Sequence, residues 1–192
     1  LEFRRVLFRS TIGKGFYRVI QEQKEGILNK TGANVKLVKI LEKDINIDWP
    51  EYIDKSLLTD DWESIINDDE IQIIVELIGG TTISRKFITE ALERGKHVVT
   101  ANKDLVAAYG SELFEIAEKN KLDFAFEAAV GGGIPIIRPL KQCLAGNNIQ
   151  EILGIVNGTT NYILTKMTQE NQTFYEALKT AQDLGYAEAD PT

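Results

Sequence analysis

The stretch His97-Val98-Val99-Thr100-Ala101-Asn102-Lys103 predicts a buried strand that runs into a lysine. Its β-branched residues favour a strand, whereas the small residue, the amide and the lysine after them favour a loop. In open α/β sheets ligands bind at the carboxyl ends of the strands, so this lysine would present its ammonium group to a crevice. The alternative is a lysine on a surface loop. The stretch makes Lys103 the first candidate for chemistry.

Strands and helices are predicted to alternate on both sides of this stretch, up to about residue 130. The predicted strands are Arg5–Phe8, Val35–Leu41, Ile71–Ile78, Val98–Thr100 and Leu122–Ala128. The predicted helices are Gly13–Lys30, Trp62–Asn67, Thr82–Arg94 and Lys103–Asn120. Ile71–Ile78 is a nearly continuous apolar run, which is typical of a strand buried on both faces of a parallel sheet. The alternation predicts an α/β fold with a doubly wound, Rossmann-type parallel sheet.

The pattern changes after residue 130, where three glycines and a proline interrupt it. The elements predicted beyond this point are a helix at Ile137–Ala145, a strand at Ile149–Val156, and helices at Tyr162–Glu170 and Thr173–Leu184. We therefore predict two domains: a Rossmann-like domain over residues 1–130, and the start of a truncated α+β domain on the substrate side over residues 131–192.

The composition is that of an ordinary globular protein and excludes several classes of function. The 192 residues are 43% hydrophobic and 27% charged, with a formal net charge of −7. Nucleic acid is not expected as a partner, because phosphate binding requires clustered cations. Cys143 is the only cysteine, so no disulfide framework is predicted and a reducing cytoplasm is the natural compartment. No apolar run approaches the roughly 20 residues that span a bilayer, so no membrane partner is predicted.

Both ends of the chain are unusual. The chain begins at Leu1 rather than at a methionine, and Leu1–Ser10 carries three arginines in a composition unlike that of the rest of the chain. We interpret Leu1–Ser10 as a cloning or sequence-assembly artefact. The chain stops at Pro191-Thr192 without a predicted helix or strand to close on, so we expect it to be a piece of a longer protein. In such a piece Ile149–Val156 would expose apolar surface and favour aggregation.

The turn before the first helix is the expected phosphate-binding position of a Rossmann-type sheet. There the pattern G-x-G-x-x-G lets backbone amides approach a pyrophosphate at the helix N-terminus. Only the third glycine, Gly13, is present, because Phe8 and Ser10 occupy the first two positions. The alternative is a plain helix cap at Ser10 or Thr11, which the residues by themselves fit better.

Glu42 and Lys43 come after the second predicted strand, where residues of this fold contact the adenosine ribose. A carboxylate would accept a hydrogen bond from the 2′-OH of NAD, whereas a cation would bind the 2′-phosphate of NADP. The pair leaves the choice between NAD and NADP open. Two solvated charges on a loop are the alternative.

Two glycine-containing segments suggest further binding groups. Gly79-Gly80-Thr81 ends the third apolar strand and would let a flat ring or a ribose lie close to the backbone; the alternative is a simple turn capped by Thr81 or Thr82. Glu127 precedes Gly131-Gly132-Gly133, and a carboxylate beside free carbonyl oxygens is a ligand set that hard cations prefer. A glycine hinge between domains is the alternative for that segment.

Polar residues near the carboxyl end suggest a place for an amino-acid substrate. Asn157-Gly158-Thr159-Thr160-Asn161 could hold the polar groups of an amino acid, or could cap the next helix. Glu188 and Asp190 could bind an ammonium group, or could remain solvated. His97, the only histidine, precedes a strand, which favours a packing role over that of a general base.

Taken together, five segments resemble the homoserine dehydrogenase family. They are VELIGG at 75–80, GKHVVTANK at 95–103, EAAVGGGIP at 127–135, GIVNGTTNY at 154–162 and GYAEADP at 185–191. The segments occur in the family's order and with its spacing, and the resemblance covers the chain from about Thr11 to Thr192. One such motif is weak evidence, whereas five in register are highly specific.

The resemblance implies NAD- or NADP-dependent interconversion of L-homoserine and L-aspartate 4-semialdehyde, for threonine and methionine biosynthesis, by a cytoplasmic homodimer. The implied catalytic residue is Lys103, which matches a lysine between nicotinamide and substrate. The implied substrate-binding residues are Glu188, Asn157 and Thr159. The implied cofactor-binding residues are Thr11, Ile12, Gly13, Gly79, Gly80, Thr81, Lys103 and Gly185. The implied sodium or potassium site comprises Glu127, Val130, Gly132 and Ile134.

Two departures from the family pattern bear on the activity of this chain. Phe8 and Ser10 replace the first glycines of the dinucleotide loop, and the chain ends before the family's aspartate and proton-donating lysine. We therefore predict little or no turnover by this chain alone. The alternatives are another semialdehyde or imine reductase on the same sheet and, from a different class, a non-catalytic remnant or protein-binding module derived from a dehydrogenase.

Overall fold

The structure is a computed structural model that describes residues 2–8, 11–46, 48–155 and 157–187. The chain divides into two compact units, Leu1–Pro139 and Leu140–Thr192. The boundary between the units falls after Pro139, whereas the sequence pattern predicts a domain boundary at residue 130. The functions assigned to the two domains stay predictions.

In the described part of the first unit, six strands form one parallel sheet. They are β1 (Glu2–Phe8), β2 (Asn34–Leu41), β3 (Leu58–Thr59), β4 (Ile73–Glu76), β5 (His97–Thr100) and β6 (Phe124–Ala125). The strand order is β3-β2-β1-β4-β5-β6, and all neighbouring strands are parallel. This is the doubly wound order, in which a crevice opens at the carboxyl ends of the strands where the order reverses, between β1 and β4. The predicted α/β fold class is confirmed.

Helices cover both faces of the sheet. They are α1 (Thr11–Glu22), α2 (Lys24–Thr31), α3 (Glu63–Ile66), α4 (Thr82–Glu93) and α5 (Lys103–Lys119). Successive side chains of a strand point to opposite faces. In β4, Ile74 packs with Ile88 of α4 and Leu113 of α5, whereas Val75 packs with Tyr17 of α1. All five side chains are buried, as the nearly continuous apolar sequence of this strand predicts.

The second unit is helical in its described part. Its helices α6 (Gly158–Gln169) and α7 (Phe174–Asp183) pack through buried Ile163, Ala177 and Ala181. The strand predicted at Ile149–Val156 is wrong for residues 149–155, which are exposed and irregular; Val156 lies outside the described residues. A strand needs a neighbour to pair its backbone groups, and residues 140–155 and 157–187 contain no strand.

Other predicted elements are shorter or interrupted. The helix predicted at Gly13–Lys30 is two helices, because Gln23 leaves helical geometry between α1 and α2, with φ −105° and ψ 16°. The strand predicted at Leu122–Ala128 is reduced to β6, since residues 127–129 form a 3₁₀ turn. The helix predicted at Ile137–Ala145 is a single π-helical turn, Pro139–Cys143. Among the described helices, none combines the length and the apolar composition of a membrane-spanning segment.

Candidate active site

The carboxyl ends of β4 and β5 lie side by side and carry residues that the sequence motifs single out. The two strands pair with Glu76 opposite Thr100, at the last residue of each strand. Gly79 and Gly80 come after β4, and Lys103 comes after β5. The parallel pairing therefore places the glycine turn and the lysine at the same edge of the sheet, where ligands bind in this fold.

The glycine turn exposes bare backbone. Gly79 and Gly80 have φ values of +84° and +70°, which L side chains rarely adopt. Both residues are exposed, and a Cβ atom at either position would meet no heavy atom within 4 Å. The side chain of Thr81 does not cap α4. The turn thus has room for a ribose or a flat ring against its backbone, which fits a dinucleotide.

Lys103 is the first residue of α5, and its side chain is exposed. Asn102 caps this helix, because its Oδ1 accepts the N–H of Leu105 at 3.1 Å. The same side chain donates from Nδ2 to the carbonyl oxygen of Gly80 at 2.6 Å and so connects the start of α5 to the glycine turn. Among the described residues, no side chain forms a hydrogen bond or an ion pair with Lys103.

A cavity of about 550 Å³ opens at the carboxyl end of β2. It is lined by Leu41, Glu42, Lys43, Asp60, Trp62, Ile78, Ile83 and Phe87. The rings of Trp62 and Phe87 are stacked with centroids 4.2 Å apart, and Trp62 Nε1 donates to Glu90 Oε2 at 2.6 Å. The volume and the largely apolar lining suit a heteroaromatic ring such as adenine.

The two charges beside this cavity differ in their bonding. Glu42 Oε1 accepts hydrogen bonds from the backbone N–H groups of Lys43 at 2.9 Å and Asp44 at 3.4 Å. This carboxylate therefore stabilises the turn in which it lies. The Lys43 side chain is exposed and forms no ion pair with a described residue. Lys43 therefore supplies a positive charge on the cavity wall that an anionic group can reach.

The predicted phosphate position is the first turn of α1. Thr11, Ile12 and Gly13 are its first three residues, and Gly13 is buried while Ile12 is exposed. A helix N-terminus offers backbone N–H groups to a phosphate. Ser10 lies outside the described residues, so the choice between a phosphate loop and a plain cap stays a prediction.

The Glu127 carboxylate accepts hydrogen bonds from backbone N–H groups. Its Oε1 accepts the N–H groups of Ile136 at 2.6 Å and Ile137 at 3.0 Å, and its Oε2 accepts that of Arg138 at 2.7 Å. These bonds, with the one from Ile136 foremost, lower the pKa of the Glu127 carboxyl.

The predicted cation site combines one side-chain oxygen, from Glu127, with the backbone oxygens of Val130, Gly132 and Ile134. No group of three or more His, Cys, Asp or Glu residues able to hold a metal occurs among the described residues. The Glu127 side chain fits a backbone cap better than a cation ligand, because three N–H donors already occupy it. The sodium or potassium site on Glu127, Val130, Gly132 and Ile134 stays a prediction, and the function proposed below does not depend on it.

The second unit brings together some of the predicted substrate residues. The Thr159 hydroxyl donates to the carbonyl oxygen of Tyr186, which places Thr159 beside the Gly185 turn, where φ is +75°. Asn157 Oδ1 accepts the N–H of Thr160 at 2.8 Å and caps α6. Glu188 lies outside the described residues. The roles of all four in binding substrate or cofactor stay predictions.

Sequence reasoning missed Glu76, the fully buried carboxylate at the end of β4. Its Oε1 accepts the N–H of Ile78 at 2.7 Å and the Oγ–H of Ser84 at 3.1 Å, and its Oε2 accepts the Oγ1–H of Thr100 at 2.6 Å. A single acid inside a nearly continuous apolar run is the signal that could have revealed it. His97 lies at the opposite, amino end of β5, where its Nδ1 accepts the N–H of Asp123 at 3.0 Å.

The strand order, the open glycine turn and the neighbouring cavity define a Rossmann-type, dinucleotide-binding protein. The family model described as "Homoserine dehydrogenase, NAD binding domain" matches residues 11–127, and the model described as "Homoserine dehydrogenase" matches residues 135–192. The chain belongs to the homoserine dehydrogenase family, as its five motifs predicted.

Known relatives agree with this assignment over most of the chain. The homoserine dehydrogenase of Bacillus subtilis is 45% identical over 182 residues, which are 95% of this chain and 42% of that protein. A crystal structure of a homoserine dehydrogenase from Thiobacillus denitrificans superposes with a TM-score of 0.89 at 42% identity and covers 100% of this chain and 44% of that one. A hyperthermophilic archaeal homoserine dehydrogenase in complex with NADPH has a TM-score of 0.78 at 27% identity, and the match covers 100% of this chain and 64% of that one. The chain thus spans under half the length of the curated relatives it matches.

Proposed function

We propose that this chain carries the cofactor site and the catalytic lysine of an enzyme that interconverts L-homoserine and L-aspartate 4-semialdehyde with NADP or NAD. The observation that carries the proposal is the joint position of Lys103 and the open Gly79–Gly80 turn at the carboxyl edge of β4 and β5. Family membership supplies the substrate class, which belongs to the whole protein rather than to this chain's described geometry.

Three parts of the first unit would hold the dinucleotide. The N-terminus of α1, at Thr11–Gly13, would face the phosphates, and Gly79–Thr81 would lie against a ribose or the nicotinamide. The cavity beside Glu42 and Lys43 would receive the adenosine. When bound, the nicotinamide supplies or accepts the hydride, and the protein supplies orientation and electrostatics.

Lys103 would act on the oxygen of the substrate's aldehyde or alcohol. In the reductive direction that oxygen gains negative charge, which an ammonium group stabilises, and the same group can share in transfer of the proton. The exposed side chain at the start of α5 is free to approach a ligand from the sheet edge. Asn157, Thr159 and Glu188 would orient the substrate, and Gly185 would lie near the cofactor, as the family resemblance implies.

Further features of the proposal concern the whole protein. We expect it to be a cytoplasmic homodimer without membrane or nucleic-acid partners. We expect little turnover from this chain alone, because Phe8 and Ser10 stand where the dinucleotide loop has glycines. A non-catalytic remnant that binds another protein is the alternative, and it would tolerate the loss of Lys103.

The test is a chimera in which residues 11–192 replace the matched segment of the Bacillus subtilis homoserine dehydrogenase. We expect the chimera to oxidise homoserine with an NAD or NADP cofactor, and Lys103→Ala to lower its kcat by about a hundredfold or more. Lys86→Ala, which removes an exposed lysine of α4, is the matched control and should leave kcat unchanged. A folded chimera whose kcat is equal with and without Lys103 contradicts the proposed role.

A further inference from the structure

We propose that Glu76 is a positioning residue whose buried carboxylate couples the Gly79–Gly80 turn to the Thr100–Lys103 turn. The coupling itself is a property of the first unit, whereas its value for cofactor and lysine placement rests on the function proposed above. Glu76 has no exposed surface, so it acts through these turns and not by touching a ligand.

The burial of this acid requires an explanation. Glu76 ends a strand whose neighbours Ile74 and Val75 are buried on both faces of the sheet, where apolar residues are usual. A buried carboxylate without partners is costly, and removing one partner from a buried polar network leaves the other groups unsatisfied. An acid at this position therefore depends on the hydrogen bonds around it.

The donors around Glu76 fill the acceptor positions of its two carboxylate oxygens. Oε1 faces the N–H groups of Ile78 and Gly79, at 2.7 and 3.4 Å, and the hydroxyl of Ser84 at 3.1 Å. Oε2 accepts the hydroxyl of Thr100 at 2.6 Å. The two oxygens of a carboxylate offer about four lone-pair positions. These donors come from the turn after β4, from α4 and from the end of β5.

A second set of bonds closes a ring between the two turns. Thr100 Oγ1 donates to Glu76 and accepts the N–H of Asn102 at 3.0 Å. Asn102 Nδ2 then donates to the carbonyl oxygen of Gly80 at 2.6 Å, and the backbone leads from Gly80 through Gly79 back to Glu76. Lys103 is the next residue after Asn102, so the ring fixes the backbone that carries the lysine relative to the glycine turn.

The experiment measures amide hydrogen exchange at 78–80 and 101–103 in the native chain and in Glu76→Gln. Gln keeps the shape but replaces one acceptor oxygen with an NH₂ group that faces existing donors. We expect exchange at both turns to accelerate about tenfold or more, because the NH₂ group cannot accept the hydrogen bonds that the replaced oxygen accepts. Exchange in α2, which lies apart from the ring, should stay unchanged.

Two further variants keep the experiment decisive. Glu112→Gln, which removes an acid paired with Arg85 between α4 and α5, is the matched control and should leave both turns unchanged. Thr100→Val is isosteric and breaks the ring at one point, so it serves if Glu76→Gln does not fold. It should accelerate exchange at 101–103 more than at 78–80, because the Glu76 bonds to the first turn remain.

NADPH titration of the same variants separates the inference from the proposed function. We expect NADPH to bind the Bacillus subtilis chimera that carries residues 11–192, and to bind its Glu76→Gln variant about tenfold more weakly, at a temperature where both are folded. Faster exchange at both turns without NADPH binding to the chimera would keep the coupling and refute the cofactor site. Unchanged exchange at 101–103, or acceleration spread evenly over the unit, would overturn the coupling.

Discussion

At the scale of single residues, the choice of cofactor depends on two adjacent charges of opposite sign. Residue types alone leave the choice open, because Glu42 suits NAD and Lys43 suits NADP. The two side chains differ in the structure. The Glu42 carboxylate accepts hydrogen bonds from the backbone of its own turn, whereas the Lys43 side chain is exposed on the cavity wall. We therefore expect this chain to prefer NADP.

Substitution of Lys43 tests this preference. Lys43→Ala should weaken NADPH binding about tenfold by removing a charge-assisted contact with the 2′-phosphate, and should leave NADH binding nearly unchanged. Glu42→Gln is the control and should affect neither cofactor strongly, because its amide oxygen can still cap the turn. The measurement is the fluorescence of the bound nicotinamide during titration. Equal losses for NADPH and NADH in Lys43→Ala would contradict the assignment.

At the scale of elements, the start of α5 could be predicted from the sequence, whereas the end of β4 could not. α5 begins at Lys103 as predicted, because Asn102 is a residue type that caps helices through local bonds. β4 ends at Glu76 instead of Ile78, because the Glu76 side chain takes the N–H of Ile78. Residues 149–155 have strand-like composition, but the described part of the second unit contains no strand that could pair with them. Hydrophobic periodicity does not report which side chains form hydrogen bonds with the backbone, nor which strands pair.

The capping box of α7 offers a prediction at this scale. Thr173 Oγ1 accepts the N–H of Glu176, and Glu176 Oε2 accepts the N–H and hydroxyl of Thr173. Thr173→Ala should destabilise α7 by about 1 kcal/mol, as measured by amide exchange within the helix.

The capping box also has a pH dependence with a definite sign. The backbone bond from Thr173, followed by its side-chain bond, lowers the pKa of Glu176. The contribution of Glu176 to the stability of α7 is therefore complete at pH values above its ordinary pKa of 4.5. This contribution is lost as the pH falls through the lowered pKa. The difference in α7 stability between the native chain and Thr173→Ala should shrink at that acidic end. A difference that grows there would contradict the capping box.

At the scale of the whole molecule, the sheet was predictable and the contacts at its edge were only partly so. Alternating elements give the parallel order, but the two-residue β3 is too short to stand out in the sequence. The motifs predicted that Lys103 and Gly79–Gly80 lie at the carboxyl edge of the sheet. The role of Glu76, in contrast, could be recognised only from its hydrogen bonds in the structure. In the second unit, Leu153 is 84% exposed, which supports the aggregation predicted for this chain.

The most direct test of the central claim is a titration of the glycine-labelled chain with NADPH, followed by amide resonances. The claim is that the carboxyl edge at β4 and β5 binds the dinucleotide. We predict saturable shifts at Gly79 and Gly80, with Gly32 and Gly95, which precede β2 and β5 at the opposite edge, unmoved. Saturable binding that shifts Gly32 or Gly95 and leaves Gly79 and Gly80 unchanged would contradict this claim.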